Sequence, residues 1–455
     1  MSGKFIAKEI ITKTLERGDL ILGKGQYYSK DGIKTQLNNN VLVVGTSGAG
    51  KTRSIVMPNL LQADGSYVVS DPKGSLSKGM GPYLESVGYK VIRMDFIHPE
   101  RSTRYNPLAH IRNTRDIQKL AHNIVYEMNI GSGEGKRGGS YDPFWDKASE
   151  MLITSILGYV MENDEIPVNK KNLITVKEYI KKANRKDGNS VRSKSEMDEL
   201  MYRHKLRMAA KGIESWAATR YDDYNCSPDK THQTINITSI SNFSMIDTLE
   251  TRKMVCGNDI DFGQIGNEPT VVFVEVCDSD RSMDFLVNLF YSQLMNALCD
   301  YADNYCENSR LPVPVQFILD DFATNARIDN FQNMIANIRS RGISAMIMVQ
   351  SESQLKAGYD EDAKTIVDNC NSYVYMGGMD TELTKDIAIR ADKPSKYILN
   401  MPIGYSWIFR RGQEPVYCRN FDIEAFMQVK GFEYGKPAKF SYDLLDEISS
   451  ERRGA

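Results

Sequence analysis

From Asn40 onward, short runs of β-branched and apolar residues alternate with longer stretches of mixed character. VLVVG (Val41 to Gly45), YVVSD (Tyr67 to Asp71) and KVIRMD (Lys90 to Asp95) are separated by segments long enough for helices. Strands buried on both faces read as continuous apolar runs, and parallel neighbours need crossover connections, so the alternation predicts βαβ units and a parallel sheet. Runs of the same kind return at Thr270 to Val276, Val315 to Asp320, Ser344 to Gln350, Ser372 to Met376 and Tyr405 to Phe409. Between the two sets, from about Thr114 to Cys256, the apolar period changes from two to near 3.6. Ile117, Leu120, Ile124 and Met128 form one helical stripe. Trp145, Ala148, Leu152, Ile156 and Tyr159 form another, opened by Asp142-Pro143 as N-cap and first helical residue. Further helices are expected at Leu173 to Lys186, Ser195 to Lys211 and His232 to Val255.

These patterns predict an α/β chain whose mostly parallel sheet is interrupted by an all-α insert and then resumed. The expected divisions are a β-hairpin lead-in over 1–40, a core over 41–113 and 257–435, the insert over 114–256 and a tail over 436–455. Gly131 to Gly139 and Arg185 to Ser195 read as loops, the first glycine-rich and the second polar around an Asp187-Gly188 turn.

Composition narrows the class. The 455 residues carry 57 Lys+Arg against 59 Asp+Glu, a net charge of −2, so any contact with nucleic acid must be local. The longest apolar stretches, Met151 to Met161 and Thr270 to Cys277, fall short of the roughly 20 residues that a membrane-spanning helix needs, so a soluble chain is expected. The N-terminus has no apolar signal core. Seven cysteines, with no CxxC pair, read as thiols of a reducing cytosol. The five histidines show no i,i+4 pairing, which argues against a zinc site.

Chemistry enters at GTSGAGKT: Gly45, Thr46, Ser47, Gly48, Ala49, Gly50, Lys51 and Thr52. This is the phosphate-binding loop pattern, and it follows a strand-like run and precedes a helix-forming segment. Backbone N–H groups from Gly48 to Thr52 would then face an anion at a helix N-terminus. Lys51 would neutralise the β- and γ-phosphates of ATP, and the Thr52 hydroxyl would hold magnesium. Magnesium also needs a carboxylate at the end of a neighbouring strand. VQFILDDFA offers Asp320 for the metal, directly or through water, and Asp321 to orient or deprotonate the attacking water.

GTSGAGKT, SDPKG (Ser70 to Gly74), YNPL (Tyr105 to Leu108), LDDFA (Leu319 to Ala323) and IRSRG-x₆-QS (Ile338 to Ser351), in this order, resemble the type IV coupling proteins of bacterial conjugation and type IV secretion. The resemblance runs from about Gly23 to Tyr417 and takes in the helical insert. It implies a RecA-like core and a homo-hexameric, ATP-driven pump that recruits relaxase-bound single-stranded DNA and passes it to the secretion channel proteins. It places the arginine finger on Arg339, with Arg341 the less favoured neighbour, and puts Gln350 where its amide senses the γ-phosphate. Asp71 and Lys73 would lie near the nucleotide or the subunit interface, or form a turn with a solvated lysine. Two departures stand out. Asp321 occupies a position where the family usually has Glu, one methylene longer, which puts fast turnover in doubt. Family members also usually carry N-terminal membrane helices that this sequence lacks, so it has lost them or docks to a membrane partner. Either way a cytoplasmic location against the bacterial membrane is implied. A second reading is a hydrolytically weak, nucleotide-dependent receptor that recruits relaxase or effector proteins through the insert. The basic clusters of the insert, Lys170, Lys171, Lys177, Lys181, Lys182, Arg185 and Lys186, then Arg203, Lys205, Arg207 and Lys211, could meet DNA phosphates, anionic lipid or protein cargo, although a solvated helix face is favoured.

Overall fold

A computed structural model of the chain describes residues 18–131, 144–184, 194–226, 229–277, 280–322 and 330–437, together with Leu15 and Ile328. The Asp142-Pro143 helix start, the loop at 132–139, most of the loop at 185–195 and all but the first two residues of the expected tail lie outside the described residues. The chain divides into two compact units. One comprises Met1–Ile92, Gly263–Val274 and Leu298–Ala455, the other Arg93–Phe262 and Glu275–Ala297.

Among the described residues, eleven strands form two sheets: β1 (Asp19–Gly23), β2 (Gln26–Ser29), β3 (Val41–Val44), β4 (Ser66–Ser70), β5 (Lys90–Asp95), β6 (Thr270–Glu275), β7 (Val315–Leu319), β8 (Ile343–Val349), β9 (Ser372–Tyr375), β10 (Tyr405–Arg410) and β11 (Val416–Arg419). β1 and β2 pair as an antiparallel hairpin. The other nine run in the order β11-β10-β9-β3-β8-β7-β4-β6-β5. β3 lies parallel between β8 and β9, and β7 lies parallel between β8 and β4. Every residue of β3, β4, β6 and β7 is buried, as expected of central parallel strands covered on both faces.

β10 runs antiparallel to β9, and β11, antiparallel in turn to β10, closes one edge of the sheet. β11 has no counterpart among the expected strands. Its VYCR sequence is half-exposed, so it shows no continuous apolar run. The signal for it was the turn at Gly412, which takes a left-handed φ of 75° between two β-forming stretches.

The second unit is built around the helix Phe144–Glu162, buried almost continuously from Ala148 to Val160. Gly158 lets the helix Trp216–Tyr224 approach it: a Cβ at Gly158 would sit 3.1 Å from Ala217 Cβ and 3.2 Å from the Trp216 ring. Helices Leu173–Lys182 and Glu196–Ala210 lie close to their expected positions. The Glu196–Ala210 helix opens with a capping box between Ser195 and Asp198.

The single helix expected over His232 to Val255 is instead two, Asp229–Ser241 and Leu249–Val255, with a 3₁₀ turn at Met245–Asp247 between them. Ser and Asn near the break compete for backbone hydrogen bonds, and Thr248 caps the second helix by accepting from Thr251 N–H. Much of the basic cluster of this unit pairs with acids, Lys177 with Asp247, Lys181 with Glu178, Lys182 with Glu196, Arg203 with Glu199, Lys205 with Asp222, Arg207 with Glu165 and Lys211 with Asp164, whereas Lys171 donates to the Met161 carbonyl and Lys170 is exposed. Among the described residues no helix is long and apolar enough to cross a membrane.

Candidate nucleotide site

β3 delivers the chain into the glycine loop at its carboxyl end. Gly45 N–H donates to the Val349 carbonyl at 3.1 Å, which fastens the loop to the end of β8. Gly48 and Gly50 take φ of 81° and 89°, a left-handed backbone that a side chain would strain. Gly45 is required for a different reason, because a Cβ there would lie 2.9 Å from Met376 Cβ. Thr46, Ser47 and Gly48 are exposed, and a Cβ at Gly48 would meet nothing within 4 Å, so the loop's outer face is open to a ligand.

The helix that follows begins irregularly. Thr52–Val56 forms a π turn, with Met57 N–H donating to the Thr52 carbonyl, before α-helix resumes over Met57–Leu61. Pro58 accounts for the irregularity: it has no N–H to donate, and its ring crowds the preceding turn. Asn59, fully buried, uses its side chain to satisfy the groups around the break. Its Nδ2 donates to the Ile55 carbonyl at 2.7 Å and the Ile21 carbonyl at 2.9 Å, and its Oδ1 accepts from Ile21 N–H at 3.0 Å. The β1 hairpin is thereby tied to the first turns after the loop.

Lys51 is buried, and its Nζ lies 2.7 Å from the Gly45 carbonyl and 3.5 Å from that of Thr46. Its charge thus sits within the curl of the loop. Thr52 Oγ1 donates to Asp320 Oδ2 at 2.7 Å, although β8 intervenes between their strands β3 and β7. Burial pushes the Asp320 carboxyl above its ordinary value, with Asp321 adding to the rise, while the Thr52 hydroxyl and the Lys51 charge pull the other way. A carboxylate in that position has more to gain from a cation than an exposed one, because the cation offsets the desolvation cost. The hydroxyl, the carboxylate and the buried ammonium of Lys51 fit a magnesium-bound nucleotide, although Ala49 N–H, one of the expected phosphate donors, donates to the Thr46 carbonyl at 3.1 Å. Asp321 is half-buried, adopts φ of 49°, and donates its N–H to Asp320 Oδ1 at 3.1 Å.

Gln350 directly follows β8, one residue past the carbonyl that anchors Gly45, so it joins the same group. Arg339 does not. It is exposed, precedes β8 at the opposite end of the sheet, and donates to the Gly32 carbonyl at 2.9 Å. Arg341 forms a two-pronged ion pair with Asp303, at 2.9 and 2.7 Å.

Asp71 is buried and turns inward, accepting from Ser75 N–H at 3.0 Å and Ser77 N–H at 2.8 Å at the start of the helix Ser75–Ser86. Burial raises its carboxyl, and those backbone donors counteract the rise. Lys73 is exposed. Ser70 and Asn420 were not anticipated. Ser70 Oγ donates to the Asp320 carbonyl at 3.2 Å, and Asn420 Nδ2 to the Ala49 carbonyl at 3.4 Å, bracing the carboxylate and the loop. Ser70 could have been found as the last residue of a core strand, whereas Asn420 lies after the unrecognised β11.

The chain is similar to several known proteins. Conjugal transfer protein TraG of Escherichia coli is 24% identical over 368 residues, covering 76% of this chain and 54% of TraG. The coupling protein VirD4 of Bartonella henselae is 23% identical over 353 residues, covering 76% of this chain and 51% of VirD4. The chain therefore spans about half the length of the curated relatives it matches. Among solved structures, the plasmid coupling protein TrwB in complex with the ATP analogue ADPNP is similar with a TM-score of 0.61 at 14% identity, over 90% of both chains. TrwB in complex with ADP and Mg²⁺ gives a TM-score of 0.60 at 15% identity, again over 90% of both. This likeness is one of fold, and it bears out the RecA-like α/β core. The model of the family described as type IV secretory system conjugative DNA transfer matches residues 2–389, and the chain belongs to that family of coupling proteins.

Proposed function

We propose that this chain is the ATP-hydrolysing motor subunit of a conjugative type IV secretion apparatus, moving relaxase-bound single-stranded DNA toward the channel. The observation that carries the reading is the 2.7 Å contact between Thr52 and Asp320 beside the buried Lys51, where the chain leaves β3. Magnesium, when bound, neutralises charge on the β- and γ-phosphates. The loop N–H groups and Lys51 hold those phosphates, with Lys51 exchanging its carbonyl partners for phosphate oxygens. Thr52, at the start of the turn after the loop, and Asp320, just past β7, would hold the metal. Asp321 orients the attacking water, and its short side chain slows the step. Gln350, braced at the end of β8, reports on the γ-phosphate. Arg339 lies at the far end of β8 and stabilises the transferring charge only in a neighbouring subunit's site, so the active form is a ring, a homo-hexamer by analogy with the family.

In this reading the ring docks at the cytoplasmic face of the membrane against channel proteins. Since acids neutralise much of the basic face of the helical unit, that face is assigned to protein contacts and phosphate tracking to another surface. The test is steady-state ATP hydrolysis across a range of protein concentrations, with and without single-stranded DNA. Rates that rise more than linearly, respond to DNA and vanish in Lys51→Ala support the motor. Hydrolysis by Lys51→Ala equal to wild type overturns the site. Tight nucleotide binding with no turnover under any condition replaces the motor with a nucleotide-dependent receptor for relaxase or effector proteins.

A further inference from the structure

The glycine loop is held from outside by the turn that follows β11. Asn420, half-buried, donates from Nδ2 to the Ala49 carbonyl at 3.4 Å, and its Oδ1 accepts from Ser406 Oγ at 2.5 Å. Ser406 is buried in β10, so the sheet fixes that hydroxyl. A flipped amide would set its oxygen against the Ala49 carbonyl, two acceptors with no proton between them. The backbone of the turn is pinned as well, because Asn420 N–H donates to the Gly404 carbonyl at 2.8 Å. Four residues on, Glu424 pairs with Arg53, itself four residues beyond Ala49. The segment leaving β11 thus runs alongside both the loop and the turn after it.

The consequence lies in the peptide unit between Ala49 and Gly50. In a planar trans peptide the C=O and the N–H point in opposite directions. Drawing the Ala49 carbonyl toward Asn420 therefore turns the Gly50 N–H the other way. That N–H has no hydrogen-bond partner among the described residues, whereas the preceding donor, Ala49 N–H, is spent on the Thr46 carbonyl. Nothing local fixes this peptide: Gly48 and Gly50 flank Ala49 at φ of 81° and 89°, and glycine permits a wide range of backbone angles. The next carbonyl, that of Gly50, accepts from Ser54 N–H at 2.8 Å, as in an ordinary helical turn. Among the described residues, the Ala49 carbonyl is the one loop carbonyl that a side chain from outside the loop holds.

We propose that Asn420 is a positioning residue for nucleotide binding: by holding the Ala49 carbonyl to one side, it aims the Gly50 N–H at the phosphates. This rests on the reading of the glycine loop as the nucleotide site. Backbone N–H groups of such loops cradle the α- and β-phosphates. ADP and ATP share those two groups, so Asn420 contributes equally to both, and its removal acts on KM rather than kcat.

The test is calorimetric titration of the full chain with ADP and magnesium, in wild type, Asn420→Ala, Asn420→Leu, Ser406→Ala and Lys51→Ala. Asn420→Ala should bind about tenfold more weakly, the scale of one hydrogen bond to a charged group. Asn420→Leu, neutral and of similar size, should lose as much, because it keeps the packing and removes the donor. Ser406→Ala touches no part of the loop and only frees the amide, so it should lose less, in the same direction. In ATP hydrolysis, KM of the Asn420 variants should rise by the same factor as the ADP dissociation constant, with kcat nearly kept. Wild-type binding by both Asn420 variants, beside a loss in Lys51→Ala, overturns the inference and leaves the site standing. Wild-type binding by Asn420→Leu alone reduces Asn420 to packing and overturns it too, as does a fall in kcat at constant KM. Should the Asn420 variants fail to fold, wild-type binding by Ser406→Ala overturns it. ADP binding that is absent in wild type, or as tight in Lys51→Ala as in wild type, overturns the site and this inference with it.

Discussion

If Arg339 acts in catalysis it must act on a neighbour, and this can be tested by mixing two inactive proteins. Arg339 precedes β8, whose seven residues run to Val349 beside the loop. Seven residues at about 3.3 Å each make roughly 23 Å, which an arginine side chain of six bonds of about 1.5 Å does not cover. Arg339→Ala alone should therefore lose on the order of 10³- to 10⁵-fold in turnover, the worth of an arginine finger. Lys51→Ala alone should be inactive for lack of bound nucleotide. In rings assembled from equal amounts of the two, an interface works when the site comes from an Arg339→Ala subunit and the finger from a Lys51→Ala subunit. With random assembly in a head-to-tail ring, about a quarter of the interfaces qualify. The mixture should recover about a quarter of wild-type activity per subunit, measured by phosphate release, with mixed rings verified by co-purification through tags carried on one variant. Mixed rings that stay as inactive as their parents, or an Arg339→Ala protein that hydrolyses at the wild-type rate, would refute the assignment. Arg341→Ala is a poor substitute test, because it also frees Asp303 from its ion pair.

Two further perturbations separate site from scaffold. Burial holds the Asp320 carboxyl above its unfolded value, so its ionised form destabilises the ligand-free fold at neutral pH, and that penalty disappears as pH falls below about 3.9. Asp320→Asn should accordingly melt above wild type at pH 7, with the gap closing toward pH 4, while magnesium-dependent nucleotide binding is lost; a gap that does not change with pH counts against the argument. Asn59→Leu leaves the Ile21 N–H and C=O and the Ile55 C=O without side-chain partners in a fully buried position. At about 1–3 kcal/mol for each buried unsatisfied group, urea denaturation should show at least about 3 kcal/mol of lost stability, and a loss under about 1 kcal/mol would mean that the hairpin is not held this way.

The parts of the fold that were legible share one property: their burial is uniform. β3, β4, β6 and β7 are covered on both faces and stand out as apolar runs, and Asp320 was placed at a strand end because such a run ends just before it. Half-buried elements were harder to read. β11 mixes exposure along four residues, and the segment from His232 to Val255 keeps enough apolar residues to suggest one helix across a break that local polar side chains impose. Asp71 shows the same limit at a single residue. Its position at the end of a core strand was correctly noted, but its engagement by Ser75 and Ser77 N–H depends on where the next helix begins. The π turn after the loop was announced only by Pro58, six residues beyond Thr52.

Buried polar groups in this chain fall into two kinds, and the difference separates support from site. Asn59 spends its amide on three backbone partners. In the helical unit, Glu162 accepts from Ser215 Oγ at 2.7 Å and Ala217 N–H at 3.0 Å and meets His204 at 3.1 Å; burial works to raise its carboxyl, and these partners outweigh it and hold it below the usual range. Such groups gain from the fold as it stands. Asp320 and Gln316, near the two ends of β7, do not: one is held above its ordinary carboxyl value, and the other is an amide with neither atom bonded. A fold optimised for stability alone would place apolar residues of similar size at both positions. At Asp320, beside the Thr52 hydroxyl, that loss of stability is explained by a bound cation that restores it. Magnesium with a nucleotide, the ligand proposed at Asp320, would supply the missing charge.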